Sequence, residues 1–312
     1  VTASPRSRPG EVHARTDDGP VSGRFEVVGH RREGVYRSLT VSAPELARRA
    51  APGQFVEVAV AAPGTLLRRP FSIAEVSTGG PGGGTVTIVF DVHGPGTEWL
   101  AGVAVHDHLD IAGPLGVAFP VPRRNVACML VGGGYGAAPL YWLAGDLQRA
   151  GMRVDMVMGA ASEDRLHRPI EAKRTSSSVV FTTDDGSTGT HGRVTDVLAE
   201  RLEACRTQLV YAVGPMPMLR AVAEVCDEQG VACQVAVEEH MACGVGVCWT
   251  CVVPVRDETG EVVNRRSCID GPVFDGAAIA WDQTRWTVAA STAPDDEPAP
   301  PPERPSSSEL FG

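Results

Sequence analysis

Four cysteines in one short stretch have the spacing of metal ligands. Cys243, Cys248 and Cys251 follow the pattern C-x4-C-x2-C, and Cys268 comes after sixteen intervening residues. This is the plant-type opening for a [2Fe–2S] cluster. Two irons bridged by two sulfides need four thiolates, two on each iron. A tight loop presents three of them and a distant segment supplies the fourth. Gly244 and Gly246 lie inside the loop, where the chain must curl and aim N–H groups at the sulfurs. Zinc and disulfide bonding are the alternatives. Structural zinc favours two C-x2-C-like pairs, which the x4 spacing and the lone fourth cysteine fit poorly. Disulfides belong to oxidising compartments. His240 stands three residues before the first ligand and reads as a loop histidine, because four thiolates complete the site. Cys128, Cys205, Cys226 and Cys233 fall on apolar faces of predicted strands and helices and read as small buried hydrophobes.

Glycine-rich loops form the second chemical signal. VGGGYGAAPL, from Val131 to Leu140, follows a strand and opens a helix. Gly132, Gly133, Gly134 and Gly136 let the backbone approach a pyrophosphate, and the helix N-terminus adds N–H donors. The match to G-x-G-x-x-G is incomplete, since Pro139 takes the third glycine position. GPMPM, with Gly214, Pro215 and Met218, also lies between a strand end and a helix, on the side of such a sheet where ligands bind. TDDGSTG, from Thr183 to Gly189, follows the third strand. Asp184 and Asp185 would repel a 2′-phosphate, which favours NAD over NADP; Arg165, Arg168, Lys173 and Arg174 argue the other way. Upstream, RRPFS (Arg68 to Ser72) ends a strand-like run, and GPGT (Gly94 to Thr97) reads as the cap of a helix beginning at Thr97. Arginine binds pyrophosphate and a serine hydroxyl reaches a flavin edge, but on composition alone these are a solvated strand end and a helix cap.

The elements that position these motifs divide the chain. Short alternating strands separated by glycine and proline turns run from Val21 to about Pro122 and predict a small antiparallel barrel. From Val126 apolar strands alternate with helices, the pattern of a parallel sheet covered by helices. After Glu239 the sequence is loop-rich around the cysteines. The expected fold class is therefore β plus α/β: a barrel at 21–122, a nucleotide-binding α/β domain at 123–237 and a small cluster domain at 238–285. Residues 1–20 read as a flexible tail and 286–312 as a disordered proline-rich acidic tail. The charge of −10 over 312 residues, from 28 Lys+Arg against 38 Asp+Glu, disfavours nucleic-acid binding. Asn125 to Gly145 is uncharged and long enough to span a bilayer, but its five glycines and Pro139 mark a strand–turn–helix. With no apolar signal region at the N-terminus, the chain is read as soluble and cytoplasmic.

Taken in order, R-P-x-S, GxGT, GGGxGxAPL, DDGSxG, GPxPM and the cysteine set with C-x-DGPVF resemble one family. It is the electron-transfer subunit of NAD-dependent dihydroorotate dehydrogenase, within the ferredoxin–NADP reductase superfamily. The resemblance covers about residues 21–282, and EEHMACGVGVCWTC and CIDGPVF are its most specific segments. It implies FAD in the barrel, touched by Arg69, Pro70, Phe71, Ser72, Val89, Phe90 and Asp91, with Gly96 and Thr97 near its phosphates. It implies NAD across Gly132 to Gly136 and Gly214 to Met218, and a [2Fe–2S] cluster on Cys243, Cys248, Cys251 and Cys268. It further implies an FMN-containing catalytic partner that oxidises dihydroorotate for pyrimidine biosynthesis, in a heterotetramer of two subunits of each kind. Electrons would pass from that FMN through the cluster to FAD, and a hydride would pass on to NAD. Flavin belongs between the other two carriers because it handles both one and two electrons. No acid–base residue is called for here. Asp91 stands where relatives often have a basic residue, and Val213 where they have a cysteine before Gly-Pro. Two other readings stand beside this one. One is a reductase subunit of a ferredoxin–NAD(P) or sulfide-linked complex; the other is a non-catalytic docking subunit.

Overall fold

A computed structural model of the chain describes residues 19–79, 83–284 and 310–311. The expectation for a tail at 1–18, and most of that for 286–312, lies outside the described residues.

Six strands close into a barrel: β1 (Val21–Glu33), β2 (Tyr36–Ser42), β3 (Phe55–Val58), β4 (Arg69–Ser77), β5 (Thr85–Phe90) and β6 (His108–Leu115). Their spatial order is β1-β2-β5-β4-β3-β6, and every pair is antiparallel. Alternating apolar side chains such as Leu39, Val41, Ile73, Val86, Ile88, Leu109 and Ile111 fill the interior. Two short helices seal the barrel, α1 (Pro44–Arg49) and α2 (Pro95–Ala101). The periodicity of the sequence did not announce α1, which is a single six-residue turn. Helix α2 begins two residues before the expected Thr97, because Pro95 suits the first helical position and Gly94 precedes it as cap.

The second half is a sheet with helices on it. Strands β7 (Ala127–Gly133), β8 (Arg153–Ala160), β9 (Ser178–Thr183) and β10 (Thr190–His191) lie to one side. Beyond β7 come β11 (Leu209–Val213) and β12 (Ala232–Ala236), all six being parallel. The helices are α3 (Ala138–Arg149), α4 (Pro169–Arg174), α5 (Val194–Cys205) and α6 (Met216–Glu228). Spatial order turns back between β7 and β11, so this pair is the sheet's switch point.

The cysteine region contributes a hairpin, β13 (Val252–Arg256) with β14 (Val262–Arg266), and a last strand, β15 (Val273–Asp275). Strand β15 adds antiparallel to β12 and so covers an otherwise open sheet edge. The sequence placed this segment in a loop-rich domain; its three strand residues acquire their partner only in space. Leu310 is fully buried against the α/β core, and its carbonyl accepts a hydrogen bond from the Arg123 N–H at 3.1 Å. The expectation of a solvated tail thus does not hold for its last apolar pair, Leu310 and Phe311, which has a hydrophobic cluster to enter.

Candidate functional site

The four cysteines come together as two pairs. Cys251 precedes β13 and Cys268 follows β14, so the hairpin's register sets them side by side at its base, where the Ser267 N–H bonds the Cys251 carbonyl at 2.8 Å. Both are buried among Phe55 and Leu115 of the barrel. Cys243 and Cys248 form the outer pair, with the Cys248 N–H 3.5 Å from the Cys243 sulfur. Among the described residues no three metal-binding side chains converge on a single ion. Two pairs suit the two irons of a [2Fe–2S] cluster, one pair to each.

The loop also delivers the N–H groups that its glycines led us to expect. The Val247 N–H points at the Cys243 sulfur at 3.4 Å, and the Thr250 hydroxyl at the Cys248 sulfur at 3.1 Å. These Thr250 bonds, with help from Cys243, push the Cys248 thiol down to about 6, favouring thiolate. Burial, with neighbouring Cys251, pushes Cys268 up to about 12, so that thiol loses its proton only to a metal. Gly244 and Gly246 have φ of +65° and +80°, and a Cβ on Gly246 would stand 2.5 Å from Ile269 Cδ1. The loop therefore requires glycine there. Arg266 ties it down, donating to the Gly246 carbonyl at 2.9 Å while its guanidinium lies 4.7 Å from the centre of the Trp249 ring. The donor set, its N–H bonds and the glycine turn fit a [2Fe–2S] cluster. The other cysteines, Cys128, Cys205, Cys226 and Cys233, are buried as expected.

The residues expected at FAD gather along one edge of the barrel. Arg69 begins β4 and lies across the start of α2, where a Cβ on Gly96 would be 3.5 Å from its Nε. A cation beside the first N–H groups of a helix suits a phosphate. Ser72 is exposed, and the Phe71 ring sits 5.8 Å from Phe90. Several of these residues offer less than their types suggest. The Thr97 hydroxyl serves its own turn, accepting from the His93 and Gly94 N–H groups at 3.0 and 3.2 Å. Phe90 and Val89 are buried in the core, which leaves their backbone for a ligand. Asp91 pairs with Arg165 of the α/β domain at 3.0 Å. The unusual acid at this position is thus neutralised from within the chain.

The two loops expected at NAD meet at the switch point. Val213 pairs with Gly132 across β11 and β7. A Cβ on Gly136 would come within 3.1 Å of Gly214 Cα, and one on Gly133 within 2.7 Å of the Met218 sulfur. The two glycine loops therefore pack against each other at the switch point, the place where such sheets bind dinucleotides. Three of the four cations that favoured NADP are engaged elsewhere: Arg165 is held by Asp91, Arg168 by Glu33 and Glu75, and Lys173 lies over the Phe181 ring. Asp185 is held ionised by the Ser187 hydroxyl and N–H. This supports the preference for NAD.

Sequence reasoning missed the groups that join the halves. Glu33 at the end of β1 receives Arg168 at 2.6 Å and sits 3.2 Å from His167 Nε2. The Tyr36 hydroxyl donates to the Arg165 carbonyl at 2.7 Å, and its ring lies 5.5 Å from Tyr135 of the glycine loop. No periodic pattern marks such residues, because their partners lie about 100 residues or more away.

A closed antiparallel barrel followed by this parallel sheet, with ligand loops facing across the seam, is the fold of the ferredoxin-reductase-like flavoproteins. Solved structures bear this out. A chain of an NADH-dependent reduced ferredoxin-NADP oxidoreductase, described for flavin-based electron bifurcation, is 31% identical with a TM-score of 0.72, covering 83% of this chain and 90% of that one. The ferredoxin reductase in carbazole 1,9a-dioxygenase shares the fold at 22% identity and a TM-score of 0.58, over 69% of this chain and 68% of its own. Residues 238–280 match the iron-sulfur cluster binding domain of dihydroorotate dehydrogenase B. The dihydroorotate dehydrogenase B (NAD(+)) electron transfer subunit of Desulforamulus reducens is 35% identical over 245 residues, 78% of this chain and 92% of the relative. That of Bacillus caldolyticus is 40% identical over 244 residues, 77% and 91% of the two chains. The chain belongs to the family of dihydroorotate dehydrogenase B electron transfer subunits.

Proposed function

We propose that the chain passes electrons from an FMN-containing dihydroorotate dehydrogenase catalytic subunit, by way of a [2Fe–2S] cluster and FAD, to NAD. The observation that supports this reading is that the four-cysteine loop packs on Phe55 and Leu115 of the barrel, while the glycine loop meets Tyr36 of the barrel at the seam with the sheet. When bound, the cluster supplies one-electron transfer and the flavin joins it to hydride transfer. The protein's part is to hold and shield these groups. Cys243 and Cys248 would ligate one iron, and Cys251 and Cys268 the other. Phe55 and Leu115 keep water from the inner pair. Arg69 and the N–H groups at Gly96 and Thr97 would take the FAD phosphates, Ser72 the flavin edge, and Pro70, Phe71 and the backbone of Val89 to Asp91 the rest. Gly132 to Gly136 with Gly214, Pro215 and Met218 would take NAD.

The same reading makes 21–122, 123–237 and 238–285 the three working units, in a cytoplasmic heterotetramer with the catalytic subunit. Among the described residues no helix is long and apolar enough to cross a membrane. A second reading is favoured by the 31% identity to a chain of a ferredoxin-NADP oxidoreductase: a reductase subunit acting on ferredoxin. An anaerobic pull-down from native lysate separates the two. Co-elution of an FMN-type dihydroorotate dehydrogenase with dihydroorotate-dependent NADH formation is the expected result. A ferredoxin-linked partner without that activity would replace the first reading by the second.

A further inference from the structure

Glu57 is a carboxylate where a hydrophobe belongs. It lies in β3, whose four residues Phe55, Val56, Glu57 and Val58 are all buried, and only 1% of its own surface is exposed. Neither carboxyl oxygen has a hydrogen-bond partner. Burying such a group is costly when nothing compensates it. The nearby arginines do not act as its counterions. Arg68 pairs with Asp110 at 3.0 Å and reaches only the backbone carbonyl of Glu57 at 3.3 Å. Arg69 donates to the carbonyls of Leu67 and Arg68. A stabilising ion pair is therefore not what Glu57 provides.

Its position suggests another role. In register it stands opposite Pro70, within the flavin motif on β4. Its side chain meets the cluster loop: a Cβ on Gly244 would be 2.6 Å from both Glu57 Cγ and Oε1 and 3.0 Å from Cδ. One side chain thus spans from the flavin strand's neighbour to the residue next to Cys243. We propose that Glu57 is a positioning residue: its carboxyl is the seat on which the cluster loop rests, fixing that loop relative to the flavin strand. This rests on the cofactor assignment proposed above. The seat works by shape, so charge is not required. The primary amide of glutamine should therefore serve in its place.

The test uses the full-length chain, reconstituted anaerobically with FAD and cluster, as wild type, Glu57→Gln and Glu57→Ala. NADH is mixed in a stopped-flow instrument, and flavin and cluster bleaching are followed separately. Electron paramagnetic resonance of dithionite-reduced samples reports the cluster without any transfer step. Misplacement by about 1 Å costs up to ~10²-fold in a geometry-dependent step. Glu57→Ala should keep FAD and its reduction by NADH, yet slow cluster reduction at least tenfold with an altered resonance signal, or lose the cluster outright. Glu57→Gln should stay within twofold of wild type on every readout. The proposal is overturned if Glu57→Ala transfers normally with an unchanged signal. It is equally overturned if Glu57→Gln is as impaired as Glu57→Ala, since charge rather than seating would then matter. Failure of the wild type to take up FAD or cluster would instead overturn the underlying cofactor assignment, and the proposal with it.

Discussion

Within the cluster loop, each cysteine has a distinct environment. Cys248 is exposed and biased to thiolate, while Cys251 and Cys268 are buried beneath the barrel. Serine at position 251 keeps the volume but loses a soft ligand that the inner iron requires. Cys251→Ser should abolish the cluster's visible and resonance signals and stop transfer from the partner, while NADH still reduces FAD. Simultaneous loss of flavin reduction would contradict the separation of the two sites. Four cysteines at ligand spacing were legible in the sequence alone. The sorting into pairs was not, because it depends on a hairpin that brings Cys268 beside Cys251.

Among the elements, the decisive junction is between β7 and β11. Their parallel pairing aligns Gly132 with Val213 and brings two loops, separated by some eighty residues, into direct backbone contact. Alanine at Gly136 would force a methyl to 3.1 Å from Gly214 Cα and 3.3 Å from the Val213 carbonyl oxygen, both backbone atoms that cannot swing aside. Gly136→Ala should raise the KM for NADH severalfold and leave FAD content unchanged, measured as NADH-dependent reduction of an artificial acceptor. An unchanged KM would place the dinucleotide elsewhere. The glycines were visible in the sequence. That the two loops meet follows only from strand order, which local patterning does not encode.

Across the whole molecule, the barrel and the α/β domain are clamped by charge. Burial pushes the Glu33 carboxyl up, but hydrogen bonds from His167, Arg168 and Ser38 and the Arg168 charge outweigh it and hold the group well below 4.5. Its folded-state value is thus lower than its unfolded one. The stability it contributes is complete above about pH 4.5 and is lost as pH falls toward the folded value. Glu33→Gln should cost about 2 kcal/mol at neutral pH, the worth of hydrogen bonds to a charged group. Denaturant titrations at pH 7 and 3.5 check this: the gap between wild type and variant should narrow at the lower pH. The C-terminal pair is a second tie. Removing residues 310–312 takes away the fully buried Leu310 and should destabilise the α/β domain by about 2 kcal/mol. An unaltered unfolding transition would show that the pair contributes nothing to the fold.

What the residues determined by themselves was local. Strand alternation, helix periodicity, glycine turns and cysteine spacing each operate over a few residues, and all four are readable without knowing what lies opposite. They were enough to predict a barrel, a parallel sheet and a cysteine loop of cluster-ligand spacing; FAD in the barrel was implied only by the family resemblance. Tertiary structure decided everything that depends on a distant partner. It set Asp91 against Arg165, matched Glu33 to Arg168, added β15 to the sheet edge and pressed Glu57 onto Gly244. In sequence, Asp91 is only an acid at an unusual place, β15 part of a loop-rich stretch, and Glu33 and Glu57 ordinary strand residues. Their meaning comes from burial and from charges brought within a few ångströms, and those distances exist only once the chain has closed on itself.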